Sequence, residues 1–236
     1  MTAHEITLFQ FPPALGLPNA SPFCLKMEAY LRLAGIDYKT EYVSNPAKGP
    51  KGKLPYIAID GRSIADSELI IQHLHKALGK NLDENLTAHE RALGDAFGRL
   101  VEEYLYWIIV YSRWIDSRYW PQVKESFFAE FPWLLQSILP AILRKQVRRR
   151  LYEQGLGRHS REEIYGFAQR TLGSLADFLG DKTFYMGDRP TKIDATMYAF
   201  LANIIQVDLD TELKSLAMSH RNLVAYCDRM REQIFQ

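Results

Sequence analysis

Short apolar runs bounded by turn residues predict four β-strands in the first 66 residues. The second run alternates polar and apolar positions, and the first and third are rich in isoleucine and aromatic residues, as strands are. The pair Asp60-Gly61 separates the last two runs and indicates a tight hairpin. The predicted strands are residues 5–11, 37–44, 54–60 and 62–66.

Two segments with apolar residues at helical spacing complete this part of the chain. Residues 21–35 begin with Ser21 and Pro22, which suit an N-cap and a first helical turn, and end at Gly35. Residues 67–79 form a second amphipathic helix that also ends at a glycine. The predicted order is β-α-β-β-β-α, with one parallel pair and one antiparallel hairpin.

After residue 84 the pattern is helical throughout. Helices are predicted over residues 87–115 and 134–155, and Pro140 is expected to bend or break the second. Two further helix starts are marked by pairs in capping-box spacing, Ser160 with Glu163 and Thr191 with Asp194. The chain is therefore predicted to contain a small α/β domain at residues 1–79 and an all-α domain at residues 85–236.

The composition is that of a globular protein with a sizeable core, since 47% of the 236 residues are hydrophobic and 24% are charged. The formal net charge of +1 gives no reason to expect nucleic acid or a membrane as a partner, and no apolar stretch is long enough to span a bilayer. The two cysteines, Cys24 and Cys227, form no disulfide framework, which favours the cytoplasm. His73 and His75 point different ways on a helix, so no metal site is predicted.

Ser21 and Cys24 lie at the start of the first predicted helix, where free N–H groups and the helix dipole stabilise an anion. A serine without a base is a poor nucleophile, so we expect Ser21 to hold and activate the thiol of a ligand; the alternative is that it only caps the helix. Cys24 is reactive if exposed and inert if it faces the core. The serine at position 21 argues against a two-cysteine redox cycle.

A second candidate site is the lysine-rich loop before the third predicted strand. A cis peptide at Pro55 leaves the N–H and C=O of Leu54 free to pair with an extended peptide, although trans prolines are far more frequent. The side chains of Lys48, Lys51 and Lys53 either attract a ligand carboxylate or are simply solvated.

Asp66 and Ser67 begin the second predicted helix and offer another anion-binding helix end, with the Asp66 carboxylate available for an ammonium group. One ligand with a carboxylate, an amine, a peptide backbone and a thiol satisfies all of these positions. Glutathione is such a molecule.

Four aromatic residues of the long helix recur three or four positions apart and form one stripe: Tyr104, Trp107, Tyr111 and Trp114. The stripe either lines an apolar pocket or packs in the core or at a subunit interface. The basic run at residues 144–150 is expected to be a solvated or salt-bridged helix face, and the alternative is that it attracts anionic ligands or nucleic acid.

The element order and three motifs resemble the thioredoxin-like domain of cytosolic glutathione transferases: SPFC after the first strand, KLP before the third and ADS at the second helix. The helical part resembles their C-terminal domain, in which PTKIDA corresponds to a buried capping box. Three segments resemble the branch that contains failed axon connections and metaxin proteins, KGKLPYIAIDGRSIADSELIIQHL, GLGRHSREEI and FYMGDRPTKIDATMYAFL. The resemblance implies a glutathione transferase-like fold over nearly the whole chain.

The resemblance also implies roles for the residues singled out above. It assigns Ser21 to the thiol, Leu54 and a cis Pro55 to the cysteinyl backbone, Asp66 and Ser67 to the γ-glutamyl group, and Lys53 to the glycyl carboxylate. It further implies that glutathione, as co-substrate, attacks a hydrophobic electrophile or a peroxide held by Tyr104, Trp107 and Tyr111. A cytoplasmic homodimer with a role in detoxification follows from the same resemblance.

Two alternatives stay open. One is a non-catalytic binding or adaptor protein with the same fold. The other is a glutathione-dependent thiol-disulfide reductase that works through Cys24.

Overall fold

The computed structural model describes residues 5–129 and 131–235. Its first part is a four-stranded sheet in the order β2-β1-β3-β4. The strands are β1 (Ile6–Gln10), β2 (Lys39–Tyr42), β3 (Tyr56–Ile59) and β4 (Arg62–Ala65). β1 and β2 are parallel and the other two pairings are antiparallel, which confirms the predicted topology.

The first two helices begin at the predicted residues. α1 (Pro22–Leu33) has Ser21 as its N-cap, and α2 (Ser67–Leu78) has Asp66 as its N-cap. In the hairpin between β3 and β4, Asp60 and Gly61 have φ values of +50° and +74°. Two consecutive positive φ values are what a tight two-residue hairpin requires, so this prediction is also confirmed.

The second part of the chain is helical, and the described residues contain no strand after β4. Its helices are α3 (Ala88–Arg99), α4 (Tyr106–Val110), α5 (Trp120–Phe128), α6 (Trp133–Gln154), α7 (Arg161–Leu179), α8 (Lys192–Ile205), α9 (Glu212–Met218) and α10 (Arg221–Phe235). Wider π-helical turns at Leu100–Leu105 and Tyr111–Ile115 flank α4, so the predicted long helix consists of four successive pieces. The structure is a thioredoxin-like sheet with its helices, followed by a helical part, and the domain division at residues 1–79 and 85–236 stays a proposal.

Of the bend or break expected at Pro140, the break does not occur, because α6 is continuous through this proline. A proline removes only one backbone hydrogen bond, and α6 has several turns on either side of it. None of the helices in the described part of the chain is both long and apolar enough to cross a bilayer.

The two parts share one core through α1 and α8. Every residue of α8 from Ile193 to Ile205 is buried. α1 packs along this helix, and the rings of Phe23 and Phe200 meet edge to face with their centroids 5.3 Å apart. Because α1 is held against α8, the helical part of the chain helps to fix the position of Ser21 at the start of α1.

α8 begins with the capping box predicted from the sequence. The buried carboxylate of Asp194 accepts hydrogen bonds from the N–H groups of Tyr185 (2.9 Å) and Thr191 (2.8 Å), and from the hydroxyls of Thr191 (2.8 Å) and Tyr226 (3.1 Å). Burial raises the pKa of Asp194, and these four hydrogen bonds oppose that rise. One side chain thus accepts hydrogen bonds from donors in three segments. These donors are buried and have no water molecule as an alternative acceptor.

We predict that Asp194→Ala lowers the free energy of unfolding by about 2–4 kcal/mol, because it leaves buried donors without an acceptor. Glu163→Ala is the matched control, since Glu163 closes an exposed capping box at the start of α7. The control should lower the free energy of unfolding by about 1 kcal/mol or less. Urea denaturation of the two variants checks the difference, and equal losses would contradict the assigned role of Asp194.

Candidate ligand-binding site

The register of the sheet brings two predicted binding segments to the same end. Tyr56 pairs with Phe9 on one side and with Ala65 on the other. Leu54 and Pro55 come directly before Tyr56, and Asp66 comes directly after Ala65. Because neighbouring strands lie about 4.8 Å apart, these segments are close neighbours.

The Leu54-Pro55 peptide bond is cis, as expected. Both residues are buried, and Leu54 lies outside the ladder that pairs β3 with its neighbours. In the loop before them, the side chains of Lys48, Lys51 and Lys53 are exposed. This end of the sheet therefore combines a buried backbone segment with three solvent-facing cations.

The N-terminus of α2 lies beside that backbone segment. Asp66 has a φ of +85°, which is unusual for a residue other than glycine, and its carboxylate accepts from the N–H of Glu68 at 3.1 Å. Ser67 is only 7% exposed. The buried ammonium of Lys26 donates to the Ser67 hydroxyl oxygen at 3.4 Å. Because an ammonium group can only donate, this contact makes the Ser67 oxygen an acceptor and leaves its proton for another partner.

Lys26 also pairs with Glu102, at 2.5 Å, and both side chains are nearly inaccessible to solvent. The pair links α1 to the π-helical turn after α3, so it holds the two parts of the chain together beside the start of α2. Neither residue was predicted from the sequence. The two partners are 76 positions apart, and no local pattern signals such a pairing.

At the start of α1, Ser21 caps the helix and is half-buried. Its hydroxyl oxygen accepts from the N–H of Cys24 at 3.5 Å, and its own N–H donates to the Asn19 side chain at 3.0 Å. Since the hydroxyl oxygen is the acceptor in this cap, its proton stays available for a ligand. Capping and ligand binding are therefore compatible at this residue.

The loop that precedes Ser21 is held by the helical part. The guanidinium of Arg113, itself buried, donates to the carbonyl of Ala20 at 2.7 Å and to the backbone and side-chain oxygens of Asn203 at 2.5 and 2.9 Å. The Asn203 amide in turn donates to the carbonyl of Asn19 at 3.3 Å. Burial lowers the pKa of Arg113 to about 10, so it is still charged at neutral pH. No local pattern in the sequence predicts these roles of Arg113 and Asn203.

Both cysteines are buried and free. Burial raises the pKa of Cys24 to about 11, and the neighbouring Ser21 hydroxyl offsets only part of the rise. Burial raises the pKa of Cys227 as well. Neither thiol is a thiolate at neutral pH, which disfavours reactions that need Cys24 as a nucleophile.

The side chains of the aromatic stripe do not all pack in the same direction. Tyr104 contacts Phe167 and Tyr111 contacts Tyr165, each with ring centroids 6.2 Å apart, so both pack towards α7. Trp114 stacks on Phe127 of α5 at 5.9 Å. The π-helical turns that carry three of these residues change their direction relative to a regular helix.

A tyrosine outside the stripe packs against the first turn of α1. The ring of Tyr106 is 5.1 Å from that of Phe23 and 5.3 Å from that of Trp107, which connects Trp107 to the Ser21 end of α1. The spacing of the stripe excluded Tyr106, so the sequence analysis missed it. Within the described ranges, no group of histidine, cysteine and acidic side chains is arranged to hold a metal ion.

We predict that Lys26→Met lowers the free energy of unfolding by up to about 3–5 kcal/mol, because the buried Glu102 then keeps only its longer ion pair, with the exposed Arg99 at 3.6 Å. The double variant Lys26→Met/Glu102→Leu should regain most of this loss, since neither charge is left buried. Urea denaturation measures both. A double variant as unstable as the single one would show that the lysine contributes through packing and not through the ion pair.

The chain matches the family models of the glutathione S-transferase N-terminal domain over residues 22–119 and of the glutathione S-transferase C-terminal domain over residues 168–230. Among solved structures, a glutathione S-transferase of Ceriporiopsis subvermispora in complex with glutathione superimposes with a TM-score of 0.66. That superposition covers 97% of each chain at 19% identity, so it speaks for the fold alone.

Three curated relatives extend over the whole chain. The isoprene-epoxide–glutathione S-transferase of Rhodococcus sp. (strain AD45) is 34% identical, over 97% of this chain and 98% of the relative. Failed axon connections of Drosophila melanogaster is 34% identical over 98% of this chain, and human metaxin-1 is 32% identical over 99% of it. The chain spans only 58% and 52% of the lengths of these two. The family models, the fold and these identities together make the chain a member of the glutathione S-transferase superfamily.

Proposed function

We propose that this protein binds glutathione at the end of its sheet and activates the thiol for attack on an electrophilic carbon or a peroxide. The observation that carries the proposal is the state of Ser67. Its hydroxyl is buried at the N-terminus of α2, with its oxygen bonded to Lys26 and its proton without an acceptor in the described part of the chain. A carboxylate is the acceptor that such a helix end stabilises.

The remaining groups of glutathione match the neighbouring residues. The γ-glutamyl carboxylate pairs with Ser67 and the α-amine with Asp66, while the cysteinyl backbone pairs with Leu54 beside the cis Pro55. Lys53 is exposed and available to the glycyl carboxylate. This arrangement directs the thiol towards Ser21, whose free hydroxyl proton and the first N–H groups of α1 stabilise a thiolate.

The electrophile is the less constrained partner. The name of the Rhodococcus relative joins glutathione with an isoprene epoxide, and a small hydrophobic electrophile fits the aromatic surroundings of Trp107. We assign Trp107 of α4, with Tyr104 and Tyr111 of the π-helical turns on either side, to the surface that receives the electrophile. A cytoplasmic location, a homodimer and a role in detoxification are proposed on family resemblance alone.

A non-catalytic glutathione-binding protein is the second candidate. The observation that favours it is the packing of Tyr104 and Tyr111 against α7, which uses these rings for internal contacts. The Cys24 reductase is not supported, because Cys24 is fully buried and its pKa is raised to about 11. The two experiments below distinguish these alternatives.

We predict that Ser67→Ala weakens glutathione binding by about tenfold to a hundredfold, since it removes a buried donor to a carboxylate. The matched control is Ser63→Ala, at an exposed serine of β4, which should bind as the parent does. Calorimetric titration of glutathione into the folded proteins measures both. Absence of binding to the parent protein would refute the proposed function.

We further predict that Ser21→Ala raises the pKa of the bound glutathione thiol by about 1–2 units, because the thiolate loses a hydrogen-bond donor. The ultraviolet absorbance of the thiolate, followed against pH, measures the change. Ser160→Ala removes a comparable cap from α7 and controls for helix destabilisation.

Cys24→Ala should leave both the thiol pKa and the turnover of a model electrophile nearly unchanged. If Cys24→Ala abolished turnover and Ser21→Ala did not, the reductase would replace the transferase. If the parent bound glutathione but turned over no electrophile or peroxide, the non-catalytic candidate would be favoured.

A further inference from the structure

One helix of the protein exposes an unusual amount of apolar surface. Ten large hydrophobic side chains of the described residues are exposed, and six of them lie within residues 131–142. Trp133 is 74% exposed. The others are Phe131, Leu134, Leu135, Ile138 and Ile142. Contiguous exposed apolar surface of this kind marks an interaction site.

The geometry of α6 places three of these side chains on one side of the helix. Leu134, Ile138 and Ile142 are four residues apart and follow one another along the same face. Lys145 and Arg149 continue that face towards the end of the helix. We call this surface, residues 131–150 on the solvent side of α6, the apolar–basic face.

The other side of α6 is held in place. Pro140 and Leu151 are buried, and the Arg144 guanidinium donates to the carbonyls of Trp114 and Ile115 at 2.9 Å each. The exposed side chains are therefore presented by a helix that is anchored on its opposite side, and the packing of the chain itself does not account for them.

The charge of this segment has a single sign. Residues 131–152 contain no aspartate or glutamate, and they contain five basic residues, at positions 144, 145 and 148–150. Arg149 is paired with Glu153 at 2.7 Å. Lys145, Arg148 and Arg150 are exposed and have no ion-pair partner within residues 5–129 and 131–235.

We propose that the apolar–basic face docks on an anionic lipid surface. Apolar side chains that enter the headgroup region, next to cations that meet lipid phosphates, are the features of a helix that lies on a membrane. An exposed tryptophan at one end of the face suits the membrane interface. A second copy of the chain is a poorer occupant, because it brings a second set of unpaired cations to the contact.

This proposal differs from the absence of a membrane partner that the sequence led us to expect. That expectation rested on a net charge of +1 and on the absence of a spanning segment. Net charge averages over the whole surface, and a peripheral contact needs no span. Neither the net charge nor the search for a spanning segment detects a local excess of cations beside apolar residues.

The test is flotation of the full chain with vesicles of phosphatidylcholine alone or of phosphatidylcholine with phosphatidylserine. We expect binding to the anionic vesicles, little binding to the neutral ones, and release at high salt. Lys145→Glu/Arg148→Glu should reduce the bound fraction by about tenfold or more, and Leu134→Ser/Ile138→Ser should do the same.

Matched controls are Lys80→Glu and Met218→Ser, which change an exposed cation and an exposed apolar residue elsewhere, and both should bind as the parent does. Glutathione titration of every variant checks that the fold and the site described above are intact. No flotation, or equal flotation with both kinds of vesicle, would overturn the proposal. So would light scattering in which the parent is a dimer and Leu134→Ser/Ile138→Ser is a monomer, with no vesicle binding by either.

Discussion

A helix that is buried along its length has to begin inside the protein, where no water can satisfy its first N–H groups. α8 meets this constraint with the carboxylate of Asp194, which collects hydrogen bonds from three different segments. Because α1 packs along α8, the same capping arrangement fixes the helix whose first turn carries Ser21. The candidate site therefore depends on a carboxylate that takes no part in binding.

The Lys26–Glu102 pair has a different significance. Taking two charges out of water costs free energy that their attraction only partly returns, so the pair is weak evidence of a stabilising role. Its effect is on the orientation of the neighbouring Ser67 hydroxyl group. The ammonium of Lys26 makes the Ser67 oxygen an acceptor and so orients the hydroxyl proton away from the core. A buried ion pair thereby sets the polarity of a group at the proposed ligand-binding end of the sheet.

α6 and α8 place their apolar residues in different surroundings. The apolar residues of α8 are enclosed by α1, α9 and α10, whereas several of those of α6, among them Leu134, Ile138 and Ile142, are exposed next to unpaired cations. α8 is the more hydrophobic of the two helices, but hydropathy does not tell which apolar residues of α6 the rest of the chain leaves uncovered. The proposed glutathione site and the proposed lipid-binding face use different parts of the chain.

Local patterns in the sequence were sufficient for most of the fold. Strand alternation, the Asp60-Gly61 turn, the caps at Ser21 and Asp66 and the Asp194 box depend on residues near one another in the chain, and the structure contains each of them. What only the tertiary structure decided is how distant residues meet: Lys26 with Glu102, Arg113 with Ala20, Tyr106 with Phe23, and the burial of Cys24. Likewise, the π-helical turns redirect the aromatic stripe, and Pro140 leaves α6 unbroken. The physical reason is that capping and turn formation are short-range, whereas burial, charge pairing and ring contacts arise only when separate segments pack together.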